Sequence, residues 1–85
     1  MRLDILYFAW VRERIGVGAE TIDLPEGVAT VAGLIDHLAT RSPAHADALA
    51  DRARLRAAVD QAFVGLDAPV GQAREVAIFP PVTGG

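Results

Sequence analysis

Between residues 31 and 38, Val31, Leu34, Ile35 and Leu38 fall at i, i+3, i+4 and i+7. That spacing gathers them into one apolar stripe on a helix, and a stripe of this kind must be covered. The segments around it read as strands. In residues 2–11, RLDILYFAWV, the side chains of Leu3, Ile5 and Tyr7 alternate with Asp4, Leu6 and Phe8. RERIGVGAE then breaks the pattern, with Gly16 and Gly18 as loop signals. ETIDL reads as a second strand with Ile22 and Leu24 on one face, and Pro25-Glu26-Gly27 as a turn. Thr30 is the expected N-cap of the helix, and Ser42-Pro43 its stop. Gly33 costs this helix about 1 kcal/mol relative to alanine, and a close approach to the sheet is the reason expected for it.

Downstream, AHADALADRA reads as a shorter helix with Ala46, Leu49 and Ala50 on its apolar side. LRAAVDQAFVGL reads as a strand turned near Asp60-Gln61, and DAPVGQAR as a loop. EVAIF is the last strand, with Val76 and Ile78 opposite Glu75, Ala77 and Phe79. The expected class is α+β, ordered β-β-α-β-β with a short extra helix. Its mixed sheet is covered on one face by the main helix. This order suggests a β-grasp, although order alone does not fix the topology. Residues 1–79 form the single expected domain, and residues 80–85 an extended C-terminal tail.

Eighty-five residues bury only about 60–65% of the surface they expose unfolded. With 52% hydrophobic residues they still suffice for one modest core. There is no cysteine, which excludes disulfides, thiolate metal sites and a thiol-based sulfur relay. All eight basic residues are arginines, scattered along a chain of net charge −3, so nucleic-acid binding is not expected. The absence of lysine removes Schiff-base chemistry. The apolar run at residues 5–11 is too short for a membrane span and lacks the flanks of a signal peptide. A cytoplasmic protein is the expectation. GVGAET lacks the third glycine of a dinucleotide fingerprint. His37 and His45 are too far apart to suggest a metal site, Asp47, Asp51 and Asp60 read as solvated charges, and no nucleophile–base pair stands out.

Two features point to a function. If Ile5 and Tyr7 face the helix, Phe8 faces away, and the same alternation sends Phe79 and Phe63 away. A one-residue slip would invert each assignment, and a loop could cover the rings instead. As an exposed apolar patch they mark a partner surface. The second feature is the ending FPPVTGG. Pro80 and Pro81 stiffen the exit from the last strand. Residues 80–85 can reach roughly 20 Å at about 3.3 Å each. Gly84 and Gly85 carry no side chain, so the tip fits a channel too narrow for other residues. Terminal glycines alone also suit a frayed end. The terminal carboxylate is a poor electrophile; activation by ATP would convert it to a reactive acyl-adenylate.

YFAWVRERIG, AAVDQAFV and above all EVAIFPPVTGG are similar to the corresponding segments of the small, sulfur-carrier subunits of molybdopterin synthase. That family is ubiquitin-like and has the β-grasp fold. The resemblance spans nearly the whole chain, and FPPVTGG favours the molybdopterin branch over the thiamine-pathway carriers. Gly71-Gln72-Ala73-Arg74 departs from the acidic turn frequent in that family. The resemblance implies no bound cofactor. An activating enzyme that binds ATP adenylates Gly85, and a sulfur donor protein converts it to a thiocarboxylate. The tail, including Pro80, Pro81, Val82, Thr83 and Gly84, then enters the large synthase subunit and gives sulfur to a cyclic pterin precursor. It also implies partner contacts at Phe8, Arg12, Phe63 and Phe79, catalytic groups in the large subunit and a heterotetramer. Two other readings stay open: a carrier for another acceptor (a thiamine precursor, tRNA or protein lysines), and an interaction module whose tail is never activated.

Overall fold

The computed structural model describes residues 1–81. In chain order its elements are β1 (Arg2–Tyr7), α1 (Ala9–Ile15), β2 (Ala19–Asp23), α2 (Val31–Ala39) and α3 (Pro43–Ala48). A 3-10 turn (Arg52–Arg54), β3 (Arg56–Val59), β4 (Ala62–Val64) and β5 (Glu75–Phe79) follow. The strands make one sheet in the order β2-β1-β5-β3-β4. β1 and β5 run parallel at its centre, and the other pairs are antiparallel. The last strand thus returns beside the first, which completes the ubiquitin-like β-grasp.

Register decides which side chains meet the helices. Ile5 pairs with Val76 and Tyr7 with Ile78, while Ala57 of β3 pairs with Ile78. With Leu3, these residues are buried against Val31, Leu34, Ile35 and Leu38 of α2. Each fully buried aliphatic side chain of this kind contributes about 1.5–3 kcal/mol. The stripe read from the sequence is therefore the helix side of the core. The Thr30 hydroxyl accepts from the Gly33 N–H at 3.1 Å, as an N-cap should. The N–H groups of Val31 and Ala32 donate to the carbonyls of Ala68 and Leu66 at 3.0 and 2.8 Å. The loop before β5 thus satisfies donors that a helix start leaves open. It also buries Val70 and Ala73.

Four expectations need correction. The first strand ends at Tyr7, and residues 9–15 form a helix rather than strand and loop. Ala9 takes φ +53, which turns the chain out of the sheet, and Val11 is buried beneath the new helix. Gly16 ends that helix at φ +97, with its N–H on the Arg12 carbonyl at 2.8 Å. Ser42-Pro43 does not only stop α2. It starts α3, with Ser42 as N-cap and Pro43 in the first turn. α3 buries His45 and Ala48, with Leu49 buried just after it, while Ala46 and Ala50 are exposed. Gly33 makes no close approach to the sheet. A Cβ there would meet only Thr30 and Val28, at ordinary contact distances of 3.5 and 3.6 Å.

The β3–β4 hairpin turns on Asp60 and Gln61, both at positive φ. Asp60 is not merely a solvated charge. Its Oδ1 accepts from the N–H groups of Arg74 and Glu75 at 2.8 and 3.1 Å, tying the hairpin to the start of β5.

Candidate functional site

The helices cover one side of the sheet, and the opposite side carries the site. Ala77 of β5 lies between Leu6 of β1 and Ala58 of β3, and Ala58 in turn pairs with Phe63 of β4. Phe79 pairs with Arg56 at the end of the sheet. Two small alanines thus form a floor between larger neighbours. The rings of Phe63 and Phe79 pack with centroids 5.5 Å apart and planes at 47°. Phe8 follows β1 at the same end, and its N–H bonds to the Ile78 carbonyl at 3.2 Å.

Phe8, Ala9, Ala58, Gln61, Phe63, Ala77, Phe79, Pro80 and Pro81 line an open groove of about 610 Å³. Phe8 is 49% exposed and Phe63 is 80% exposed, so the aromatic walls are presented to a partner rather than to the core. Five of the residues singled out in the sequence meet here: Phe8, Phe63, Phe79, Pro80 and Pro81. The chain leaves β5 along the groove's own wall.

Arg12 does not line the groove. It sits exposed on α1, where a Cβ at Gly18 would come within 3.1 Å of its Nε. Its side chain therefore lies back along the β1–β2 connection. Val82, Thr83, Gly84 and Gly85 lie outside the described residues. Ala58 and Ala77 went unnoticed in the sequence, yet their signal was there. Ala77 is two residues from Phe79 on one strand, so the same alternation that turned Phe79 outward turns Ala77 outward too.

His45, too far from His37 in sequence to suggest a metal site, belongs to a half-buried polar cluster in the helix layer. Its Nε2 meets Glu20 Oε2 at 2.7 Å, and its Nδ1 meets the Ser42 hydroxyl at 2.7 Å. The Tyr7 hydroxyl donates to the same Glu20 oxygen at 2.8 Å, and Arg41 Nε lies 3.3 Å from Oε1. Burial pushes the Glu20 carboxyl up, but the bonds from His45 and Tyr7, with the attraction of His45 and Arg41, outweigh it and leave it below its ordinary value. Burial, and then the bond to Glu20 and its charge, push the Tyr7 hydroxyl far up. The Ser–His–Glu string has the look of a catalytic relay. Ser42, however, already accepts from the His45 N–H as the α3 cap, and the cluster lies across the sheet from the groove. Its work is to clasp α3 to β1 and β2.

The clasp makes a prediction. A carboxyl held below its ordinary value adds stability above about pH 4.3. That contribution is lost as pH falls through this range and on through the lower folded value. Glu20→Gln should cost about 1–3 kcal/mol near neutral pH and flatten the acid limb of stability. Urea unfolding of both proteins across pH checks this. A variant that keeps the full acid slope would remove Glu20 from the account.

Among the described residues no cluster of three potential metal ligands occurs, and no helix is long and apolar enough to cross a membrane. A sheet face with an exposed aromatic groove at the exit of its last strand is suited to docking a partner.

Residues 5–85 match the ThiS family. The chain belongs to this family. It is 45% identical over 85 residues to the molybdopterin synthase sulfur carrier subunit of Escherichia coli (strain K12), covering 98% of this chain and 99% of that protein. The protein of the same name from Haemophilus influenzae (strain ATCC 51907 / DSM 11121 / KW20 / Rd) is 41% identical over 83 residues, with 98% and 99% covered. Among solved structures, a candidate molybdopterin converting factor, subunit 1, from Pyrococcus furiosus aligns with a TM-score of 0.75 at 31% identity, covering 96% of this chain and 99% of that one. Small archaeal modifier protein 1 of Haloferax volcanii aligns with a TM-score of 0.71 at 26% identity, covering 95% and 98%.

Proposed function

We propose that this ThiS-family chain is the sulfur-carrier subunit of a molybdopterin synthase and that it carries its sulfur on the carboxyl group of Gly85. The observation that carries the reading is the 45% identity to a sulfur carrier subunit of that name over virtually the whole of both chains. The groove supports it physically. It gives a partner a rigid apolar surface at the point where the tail departs. The sequence adds a tip with no side chains and no cysteine or lysine that could compete for an activated carbonyl.

In this reading an activating enzyme binds ATP, and the Gly85 carboxylate attacks its α-phosphate, releasing pyrophosphate. The resulting acyl-adenylate is open to a sulfur nucleophile. Sulfide adds to the carbonyl and AMP leaves, which yields the thiocarboxylate. The chain itself supplies docking and reach. The groups that move sulfur from Gly85 to the pterin precursor reside in the large subunit, into which the tail inserts. No cofactor is held by the carrier, and its two charged states are covalent. With no disulfide to maintain, it fits a reducing cytoplasm.

Intact-protein mass spectrometry tests this. The chain is incubated with ATP, its activating enzyme and sulfide. The expected product gains the mass of one sulfur replacing one oxygen, localised to Gly85. With an activating enzyme shown to charge another carrier, the absence of both adenylate and thiocarboxylate would refute the reading.

The likeness to small archaeal modifier protein 1, at 26% identity, favours a second acceptor class, protein amines. Incubating the thiocarboxylate form with each acceptor and following the sulfur separates the two. Sulfur in the pterin product supports the first reading. A Gly85-linked protein conjugate supports the second.

A further inference from the structure

Trp10 lies on α1, two residues beyond Phe8 and at the same end of the sheet as the groove. Two guanidinium groups sit over its indole ring: Arg14 at 4.9 Å and Arg54 at 5.2 Å from the centroid. Arg14 comes from the last turn of α1 and Arg54 from the 3-10 turn before β3. Arg56 follows on the outward face of β3. With Phe63, Val64 and Phe79 it lines a smaller depression of about 240 Å³ beside the groove. Its Nη1 donates to the carbonyls of Ala53 and Leu55 at 3.1 and 2.8 Å, which fixes the side chain over the 3-10 turn.

Among the described residues none of these three arginines has a carboxylate within ion-pair distance. Glu13, Asp51 and Asp60 are the nearest acids in sequence to Arg14, Arg54 and Arg56, and Asp60 is engaged with the N–H groups of Arg74 and Glu75. Glu13 forms no ion pair there, and Asp51 Oδ1 accepts instead from the Ala53 N–H at 3.2 Å. The chain's net charge is −3, so a flank of three such guanidiniums runs against the overall balance. Stacking on Trp10 also restrains Arg14 and Arg54 in advance. A binding carboxylate then freezes less side-chain freedom than it would at isolated arginines.

We infer that this flank is the second half of the docking surface: the protein that occupies the groove lays an acidic segment across Arg14, Arg54 and Arg56. The inference rests on the proposed function for naming that protein as the large synthase subunit. A nucleic acid would also meet guanidiniums, but the apolar groove adjoins them. Asp4, Asp60 and Glu75, three acids against the single Arg74 at the other end of the sheet, would repel a phosphate backbone.

The test is the association rate of the full chain with the large subunit over a range of salt concentrations. For the wild type the rate falls as salt rises. The Arg14→Gln/Arg54→Gln double variant should associate about tenfold more slowly at low salt and lose most of the salt dependence. Its thermal transition is checked for an intact fold. Arg2→Gln, at the far end of β1, should leave the rate unchanged. A double variant that matches the wild type in rate and salt dependence overturns the inference. Wild-type binding that is insensitive to salt overturns it too and leaves the proposed function standing. A wild type that does not bind the large subunit removes both. Salt-sensitive binding of a single-stranded RNA oligonucleotide, lost in the double variant while the association is unaltered, reassigns the flank and also overturns it.

Discussion

Deleting Gly85, or adding one residue after it, is expected to abolish sulfur transfer while the fold and groove binding persist. Reach sets this outcome. An added residue moves the terminal carbonyl by up to about 3.3–3.6 Å, and a deletion withdraws it by the same amount. Sulfur transfer needs reacting atoms about 3–3.5 Å apart, and a 1 Å misplacement can already cost about a hundredfold. The shift in either variant is about three times that, so the loss should fall below detection. Any residue other than glycine at the added position also puts a side chain on a tip that carries none. Among the described residues the groove is lined from Phe8 to Pro81, and neither change replaces any of these side chains. Affinity for the large subunit, measured by calorimetry, should therefore fall much less than turnover. Each variant is assayed for pterin product with the wild type in parallel. Product formed by either one at more than about a hundredth of the wild-type rate would sink terminal delivery by Gly85.

Much of this architecture could be read from local pattern because local forces set it. α2 has a stripe of the right period, a threonine cap and polar residues on its other side. The β3–β4 hairpin has apolar runs around Asp60-Gln61, and Asp60 is of a type that tolerates the positive φ a tight turn requires; Gln61, also at positive φ, is not. The outward aromatic rings follow from strand alternation once the helix side is known. α1 was hidden for a physical reason. YFAWV is rich in aromatic and β-branched residues and reads as a continuing strand. The break depends on Ala9 at φ +53, and alanine gives no signal for that conformation. Val11 and Ile15, four residues apart, were the trace of the helix. His45 was hidden for a different reason. Its partners Tyr7, Glu20 and Ser42 come from β1, β2 and the α3 cap, so only the assembled fold shows that a polar cluster exists. The same holds for Arg54 over Trp10, whose residues are distant in sequence. For these clusters distance along the chain made the difference, whereas α1 was hidden by one local dihedral at Ala9.

Phe63→Ala and Phe79→Ala should each weaken binding to the large subunit by about thirtyfold, the loss expected of a central aromatic anchor at roughly 2 kcal/mol. Their effects on stability should differ, which makes the pair informative. Phe63 is 80% exposed, so its truncation removes little folded-state packing and should stay within about 0.5 kcal/mol of wild type. Phe79 is half-buried on a central strand and should cost more. A loss of affinity in Phe63→Ala therefore cannot be blamed on unfolding. The two rings touch, so the double variant should lose less than the sum of the single losses. The tail cannot replace them. Ordering its backbone costs about 1–2 kcal/mol per residue, which a few glycine and proline contacts do not repay. Calorimetry on folded variants decides the matter. If Phe63→Ala binds as tightly as the wild type, the groove is not where the partner anchors. The affinity would then have to come from the tail and the guanidinium flank, and the salt dependence of the Phe63→Ala complex would show how much of it is charge.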